Sequence, residues 1–134
     1  MPYVTDTHAL IWHMAADPRL SPKARRIFRQ TDDLHEQVVI PCIVFFELLY
    51  LFEKGRIHGD FDSFVSLIST AANYKVEPMC TPIIKKARSV PRQAVPDPWD
   101  RLIVATSLHP GLPLITRDES LANAKLAGLR TVWQ

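Results

Sequence analysis

Glycine, cysteine and long apolar runs are scarce in this chain, and each scarcity excludes a class of protein. The 134 residues include 4 glycines against 11 prolines, which favours firm loops over flexible linkers. No apolar run is long enough to cross a bilayer and no basic region leads into a signal peptide, so we expect a cytoplasmic protein with no membrane contact. The two cysteines, Cys42 and Cys80, form neither a CxxC motif nor a disulfide framework.

Net charge and sequence repetition are low as well. A formal charge of +2 argues against a protein that binds nucleic acid through bulk positive charge. The chain has no internal repeat or low-complexity run, and its 47% hydrophobic content excludes disorder. A mass of 15.3 kDa is enough for one hydrophobic core, so the length predicts a single domain over residues 1–134.

Short apolar segments alternate with helical ones along the chain. The predicted strands lie at residues 3–5, 37–40, 75–77, 113–116 and 131–133. The helices predicted between them lie at residues 9–12, 22–30, 43–54, 60–73, 81–88, 98–108 and 119–125. This alternation predicts an α/β sandwich of parallel strands joined by right-handed crossovers.

Four of the 14 acidic residues stand in apolar surroundings, where an unpaired charge is costly. Asp6 directly follows the first predicted strand, and Asp118 follows the fourth. Glu47 is the only charged residue in the stretch 43–52, which is otherwise apolar. Asp100 lies in the first turn of a helix that is apolar on nearly every side. These four residues are therefore candidates for a function.

Each of these acids also has a purely structural interpretation. Capping a helix or complementing its dipole would explain Asp6, Asp97, Asp100 and Asp118. A buried ion pair with an arginine such as Arg101 would explain Glu47. Taken together, however, four independent placements favour one end of the same sheet. Since α/β sheets bind ligands beyond the carboxyl ends of their strands, a shared site is the better prediction.

Four clustered carboxylates take up protons unless a cation compensates their charge. Oxygen ligands select Mg²⁺ or Mn²⁺ rather than zinc. The five histidines have no metal-ligand spacing, and His8 and His13 do not share a helix face, so we expect surface or packing roles for all of them. A hard cation held by carboxylates and water suits phosphate-ester hydrolysis, in which it activates water and neutralises the leaving oxygen.

The segments that carry these acids resemble the PIN domain, in particular the VapC-type toxins of prokaryotic toxin–antitoxin pairs. The resemblance lies in residues 4–12 (VTDTHALIW), Glu47, residues 97–103 (DPWDRLI) and residues 115–118 (ITRD), and it spans nearly the whole chain. It implies a three-layer α/β/α sandwich with a central parallel sheet of four to five strands. It also implies a Mg²⁺- or Mn²⁺-dependent endoribonuclease.

Carried over by position, the resemblance implies an acidic quartet that holds the metal and performs catalysis. The quartet consists of Asp6, Glu47, Asp100 and Asp118. Asp97 matches an extra acid of the subgroup with an Asp-Pro-aromatic-Asp-Arg motif, and it can orient water or a ligand. Thr7 and Thr116 flank the quartet and are candidates to hydrogen-bond it, or else are capping and strand residues. Cys42 departs from the pattern, since relatives often carry Ser or Thr there.

Arginines next to the quartet in sequence are candidates to bind the substrate. Arg101 follows Asp100, and Arg117 precedes Asp118. Arg101 has the alternative of pairing with Glu47 or Asp97. Basic clusters on two other helices, at residues 23–29 and 85–92, can track RNA phosphates or form solvated helix faces, and both interpretations fit the sequence equally well.

The resemblance also implies two protein partners. One is a second copy of the chain in a homodimer. The other is a small VapB-like antitoxin whose C-terminal segment wraps the toxin and places a basic side chain in the acidic site. An aromatic surplus bears on this partner and consists of Phe45, Phe46, Tyr50, Phe52, Phe61 and Phe64. Core packing is the simpler explanation for it, and a groove for a partner helix is the alternative.

We therefore predict a metal-dependent endoribonuclease that is the toxin of a VapBC-type pair. A phosphatase or phospho-receiver also has an aspartate after the first strand, but such phosphatases need a second one where this chain has His8. DNA or flap-type nucleases of the same fold are usually longer. A non-catalytic, RNA-binding PIN-like module generally loses acids, whereas all four are present here.

Overall fold

The computed structural model describes residues 2–134, in which five strands alternate with seven α-helices. The strands are β1 (Tyr3–Thr5), β2 (Val38–Pro41), β3 (Tyr74–Glu77), β4 (Leu114–Ile115) and β5 (Thr131–Val132). The helices are α1 (Thr7–Met14), α2 (Pro22–Asp32), α3 (Cys42–Glu53), α4 (Phe61–Thr70), α5 (Thr81–Lys86), α6 (Pro98–Leu108) and α7 (Glu119–Asn123). A 3-10 turn (Ala87–Ser89) follows α5.

The five strands form one parallel sheet in the order β3-β2-β1-β4-β5. Val4 at its centre is in register with Val39 of β2 on one side and with Leu114 of β4 on the other. The chain forms β1 at the centre and then β2 and β3 towards one edge. It then crosses back to form β4 and β5 on the other side of β1. A topological switch point therefore lies between β1 and β4, where open α/β sheets bind ligands.

Helices cover both faces of this sheet. The first two crossovers run across the sheet in one direction and the last two run in the other. Because such connections are right-handed, α1 to α4 cover one face and α5 to α7 cover the opposite face. The predicted sandwich around a parallel sheet is confirmed, with five strands.

The core lies on both sides of the central strands. Fully buried strand side chains include Val4, Val38, Ile40, Leu114 and Ile115. Helices cover them with Leu10, Phe28, Val44, Leu48 and Val104, which are also fully buried. Burial of one such large side chain contributes about 1.5–3 kcal/mol, so this packing fixes the strands whose carboxyl ends carry the acids.

Most helices start at a residue whose side chain accepts a backbone N–H bond from the first turn. These caps are Asp6, Ser21, Asp60, Asp97 and Asp118. Such a cap satisfies an N–H group that lacks a partner within the helix and contributes about 1 kcal/mol. The capping interpretation of Asp6, Asp97 and Asp118 is therefore correct, and it does not prevent the same carboxylates from facing a site.

Helix ends differ from the predictions where the backbone leaves helical geometry. The predicted helix to Asn73 ends at Thr70, because Ala71 is extended (ψ 130°) and Asn73 has a left-handed φ of 66°. The last helix stops before Lys125, whose φ is 53°. Gly55 ends α3 as predicted, with a φ of 71° that glycine adopts without steric cost.

Cys42 and Cys80 are both free thiols, consistent with the absence of a disulfide framework in the sequence. Cys42 is the first residue of α3 and is exposed. Among residues 2–134, no helix is long and apolar enough to cross a membrane.

Candidate active site

The acidic quartet lies at the switch point of the sheet, around one open cleft of about 560 Å³. Asp6 follows β1, and Asp118 lies in the loop after β4. Glu47 reaches the cleft from the middle of α3, and Asp100 reaches it from the first turn of α6. The other predicted residues that line the cleft are Thr7, Asp97, Thr116 and Arg117. Carboxylates far apart along the chain thus meet at one end of the sheet.

Asp6 is held in place by two elements. Its Oδ1 accepts a bond of 2.9 Å from the backbone N–H of Ala9, which starts α1. Its carboxylate is also hydrogen-bonded by the side chain of Thr116, at the end of β4. Burial raises the pKa of Asp6 above its usual value and outweighs these hydrogen bonds, which lower it. The site therefore favours either a proton or a cation at this carboxylate.

The carboxylate of Glu47 is hydrogen-bonded to the first residue of α1, and no arginine pairs with it in residues 2–134. The hydroxyl of Thr7 donates a bond of 2.8 Å to its Oε1. Burial raises the pKa of Glu47, and the negative charges of Asp97 and Asp6 raise it further. Thr7 is itself almost fully buried, so this bond fixes one oxygen of Glu47 against α1. The alternative of an ion pair between Glu47 and Arg101 is therefore wrong, since Arg101 bonds two backbone carbonyls instead.

Asp100 has a pKa far above the usual value of an aspartate. Burial is the largest cause, and the charges of Asp97, Glu47, Asp118 and Asp6 contribute in that order, so that together they raise the pKa to about 7. Four other carboxylates of the cleft therefore act on Asp100, because like charges disfavour its ionised form. The grouping of these acids is therefore electrostatic as well as spatial.

Asp118 and Asp97 are the two exposed acids of the cleft, and each caps a helix. Asp118 Oδ1 accepts bonds from the backbone N–H (2.9 Å) and the hydroxyl (2.5 Å) of Ser120. Asp97 Oδ1 accepts bonds from the backbone N–H groups of Trp99 (2.8 Å) and Asp100 (3.2 Å). Only Oδ1 of each carboxylate is used in these bonds, which leaves Oδ2 for a cation or water.

No lysine or arginine neutralises the cleft acids in the described part of the chain. The ion pairs found in residues 2–134 lie elsewhere, at Asp17, Asp32 and Glu77. The same residues contain no group of three carboxylate, imidazole or thiol side chains close enough together to enclose a metal ion. Mg²⁺ needs no such cage, because it keeps several waters and binds through one or two carboxylates. The donor set therefore fits a hydrated hard cation.

Arg101 does not reach the cleft, so its predicted role as a substrate contact is not supported by its position. Its Nε donates to the carbonyl of Val90 (3.0 Å), and its Nη2 donates to that of Ala87 (2.9 Å). Arg101 thus ties α6 to the chain segment after α5. A long side chain next to a site residue in sequence points away from it here, because consecutive helical residues face different directions.

Among the residues that line the cleft, three with polar or aromatic side chains were not predicted as site residues from the sequence. His8 is exposed, in agreement with the predicted surface role, yet it lines the cleft. Its Coulomb interaction with the two acids lowers the pKa values of Asp6 and Glu47. Trp12 and Arg19 line the cleft as well. The position of His8 two residues after Asp6 was a usable signal, whereas Arg19 comes from a turn with no motif.

An apolar ledge adjoins the acidic cleft at Glu47. It borders a cavity of about 390 Å³ lined by Phe46, Glu47, Tyr50, Leu51 and Trp99. Phe46 and Tyr50 are 51% and 56% exposed, and the rings of Phe46 and Trp99 lie 5.3 Å apart. Core packing therefore does not account for the whole aromatic surplus.

The chain has relatives among known proteins and solved structures. The family model of the PIN domain matches residues 3–126. Ribonuclease VapC22 of Mycobacterium tuberculosis is 30% identical over 128 residues, which cover 96% of this chain and 95% of that protein.

Solved structures agree in fold at much lower identity. VapBC2 from Rickettsia felis, bound to a DNA fragment from its promoter, has a TM-score of 0.75 at 15% identity and full coverage of both chains. VapBC-1 from nontypeable Haemophilus influenzae has a TM-score of 0.67 at 17% identity, with 98% of this chain and 97% of that chain covered. The match to the family model and the 30% identity to a VapC ribonuclease over nearly the whole chain show that the chain belongs to the PIN domain family.

Proposed function

We propose that this protein is a Mg²⁺- or Mn²⁺-dependent endoribonuclease and the toxin of a VapBC-type toxin–antitoxin pair. The observation that carries the proposal is the group of five carboxylates in one cleft, four of which raise the pKa of Asp100, with no lysine or arginine paired to them in residues 2–134. Such a cluster is costly unless a cation binds it. The named ribonuclease activity of a relative at 30% identity supports RNA as the substrate.

In this proposal the acidic quartet holds the metal, directly or through water. The bound cation supplies a Lewis acid and a more acidic water for attack on a phosphodiester. Thr7 fixes Glu47, and Thr116 fixes Asp6, so that their free oxygens are already oriented before a metal arrives. Asp97 orients water or adds negative charge beside Asp100.

Titration of Mn²⁺ into metal-free protein, followed by calorimetry, tests this metal site. We expect Glu47→Gln to weaken Mn²⁺ binding at least tenfold. Substitution of residues that only hydrogen-bond a metal ligand already lowers metal affinity by about that much, so the loss of a ligand itself should cost no less. Glu53→Gln is the matched control, since Glu53 is exposed at the end of the same helix and lies outside the cleft. Equal binding by both variants would contradict the assigned metal site.

Substrate choice separates the remaining alternatives. The wild-type chain with Mg²⁺ should cut single-stranded RNA and leave single-stranded and flap DNA intact. Preferential DNA cleavage would favour the flap-type nuclease. RNA binding with neither cleavage nor site-specific Mn²⁺ binding would favour a non-catalytic module.

The antitoxin partner is proposed to occupy the apolar ledge formed by Phe46, Tyr50, Leu51 and Trp99. Exposed aromatic groups beside an acidic cleft suit an amphipathic segment that also carries a basic side chain. Glu47 lines both the ledge and the cleft, so one continuous segment can contact both.

Co-expression with the product of an adjacent short reading frame tests this partner. Phe46→Asp should abolish co-purification, because it places a charge on the ledge. Leu67→Asp is the control, since Leu67 is 59% exposed on α4 and does not line the ledge. Equal co-purification of both variants would contradict the ledge as the antitoxin site.

We also propose that the chain forms a homodimer. Light scattering of the purified protein tests this, and a monomeric mass would contradict it.

A further inference from the structure

Two arginines from separate loops share the ring of one tryptophan at the edge of the acidic cleft. The guanidinium carbon of Arg19 lies 4.8 Å from the centroid of Trp12, and that of Arg117 lies 5.6 Å from it. Trp12 is only 7% exposed and is braced by the edge of Trp133, with ring centroids 5.9 Å apart. The ring is therefore a rigid base on which both guanidinium groups rest.

Arg19 is fixed further by a carboxylate. Its Nε and Nη2 donate to the two oxygens of Asp17 at 3.0 and 2.7 Å, and its backbone N–H also bonds Asp17. These bonds use Nε and Nη2. Among residues 2–134 the Nη1 group has no hydrogen-bond partner, so it can donate to a ligand. The side chain remains 59% exposed, so it is oriented without being covered.

Arg117 keeps its charge free of ion pairs within residues 2–134, where acidic partners are found only for His13, Arg19 and Lys75. Both arginines line the acidic cleft and a neighbouring cavity of about 740 Å³, and the two spaces also share Thr116 and Asp118. Positive charge thus lies beside Asp118, where the cleft adjoins this second cavity.

We propose that Arg19 and Arg117, held on Trp12, form a phosphate clamp for the RNA strand next to the bond that is cut. This inference rests on the proposed nuclease function and deepens it. A polyanionic strand meets five carboxylates in the cleft, and its neighbouring phosphate needs a cationic contact to offset that repulsion. Planar guanidinium groups suit phosphate oxygens, and preorganisation on the ring lowers the entropic cost of binding.

Enzyme kinetics with a fluorescein-labelled single-stranded RNA test the clamp. Arg117→Gln and Arg19→Gln should each raise KM about tenfold, with kcat changed less than threefold, because charge-assisted hydrogen bonds to the substrate are lost. Arg117→Lys should recover part of the loss, since it keeps the charge without the planar fork. Arg56→Gln is the control, because Arg56 is exposed, lies outside both basic clusters and does not line the cleft.

RNA binding in an Asp6→Asn background separates failure of the clamp from failure of the nuclease. Fluorescence anisotropy over a range of salt concentrations should show a slope of log affinity against log salt that is smaller by about 0.7 for each arginine removed. An unchanged slope and KM in a folded double variant would overturn the clamp even if the protein cleaves RNA. If the wild-type chain cleaves no RNA, the nuclease proposal fails, and a reduced slope would still support phosphate binding at this edge.

Discussion

Asp6→Asn is expected to lower Mg²⁺-dependent RNA cleavage about a thousandfold without unfolding the protein. The substitution removes one charge from the proposed metal site, and loss of such stabilisation costs about 4 kcal/mol, or a factor of about a thousand in rate. Asparagine keeps the Oδ1 atom that accepts the 2.9 Å bond from Ala9, so the cap of α1 survives. Initial rates at saturating Mg²⁺, with a thermal melt of the same sample, measure both effects.

Asp60→Asn is the matched control for this change. Asp60 caps α4 through a 2.9 Å bond from Ser63, just as Asp6 caps α1, but it does not line the cleft. We expect full activity from this variant. Asp97→Asn should fall between the two, because Asp97 is exposed and acts on the site through its charge on Asp100 and Glu47. Turnover by purified Asp6→Asn comparable to wild type would contradict the role assigned to Asp6.

Asp100→Asn is expected to stabilise the metal-free protein above pH 7 and to leave it unchanged near pH 4. Burial and the neighbouring acids raise the pKa of Asp100 from 3.8 to about 7. Between these values the folded protein binds more protons than the unfolded chain, so stability falls as pH rises through the window. The penalty is complete above pH 7, and asparagine removes it because it cannot ionise.

The size of this effect is limited by solvent. A shift of this extent corresponds to about 4 kcal/mol, and screening at a partly exposed group reduces the expected gain to about 1–2 kcal/mol. Thermal or urea unfolding at pH 4 and pH 8 in EDTA measures it. Mg²⁺ at pH 8 should stabilise the wild type, since a ligand that binds only the folded state shifts the equilibrium towards it.

A second acid provides the opposite sign. Hydrogen bonds from Ser63 hold the pKa of Asp60 below its usual value, so ionised Asp60 contributes stability that is present above that value. Asp60→Asn should therefore give no stabilisation at pH 8. An equal gain for Asp100→Asn at both pH values would show that packing, rather than relief of charge repulsion, causes the stabilisation.

The sheet and the approximate positions of the helices could be predicted from the sequence because their signals are local. Apolar strands such as residues 3–5 end at an acid or proline, and caps such as Ser21 directly precede a proline that starts a helix. Asp6 and Asp118 each follow one of these strands. Because ligands bind beyond the carboxyl ends of parallel strands, both residues could be predicted to lie at a site. Glu47 stood out because a lone charge in an apolar helix is costly.

Long side chains and surface aromatics could not be placed in this way. Arg101 and Arg117 both adjoin an acid of the quartet in sequence. Arg101 nevertheless donates to two backbone carbonyls in the segment that precedes α6, whereas Arg117 lies over the ring of Trp12. Phe46 and Tyr50 look like core residues in the sequence, but they face solvent. Their directions depend on which other segments pack nearby.

By itself, the sequence determined which carboxylates lie at strand and helix ends, since burial patterns and caps involve residues only a few positions apart. The tertiary structure decided that these acids share one cleft with Arg19 and His8, and that Arg101 does not reach it. The reason is that contacts between distant segments depend on how helices pack on the sheet. No local pattern carries that information.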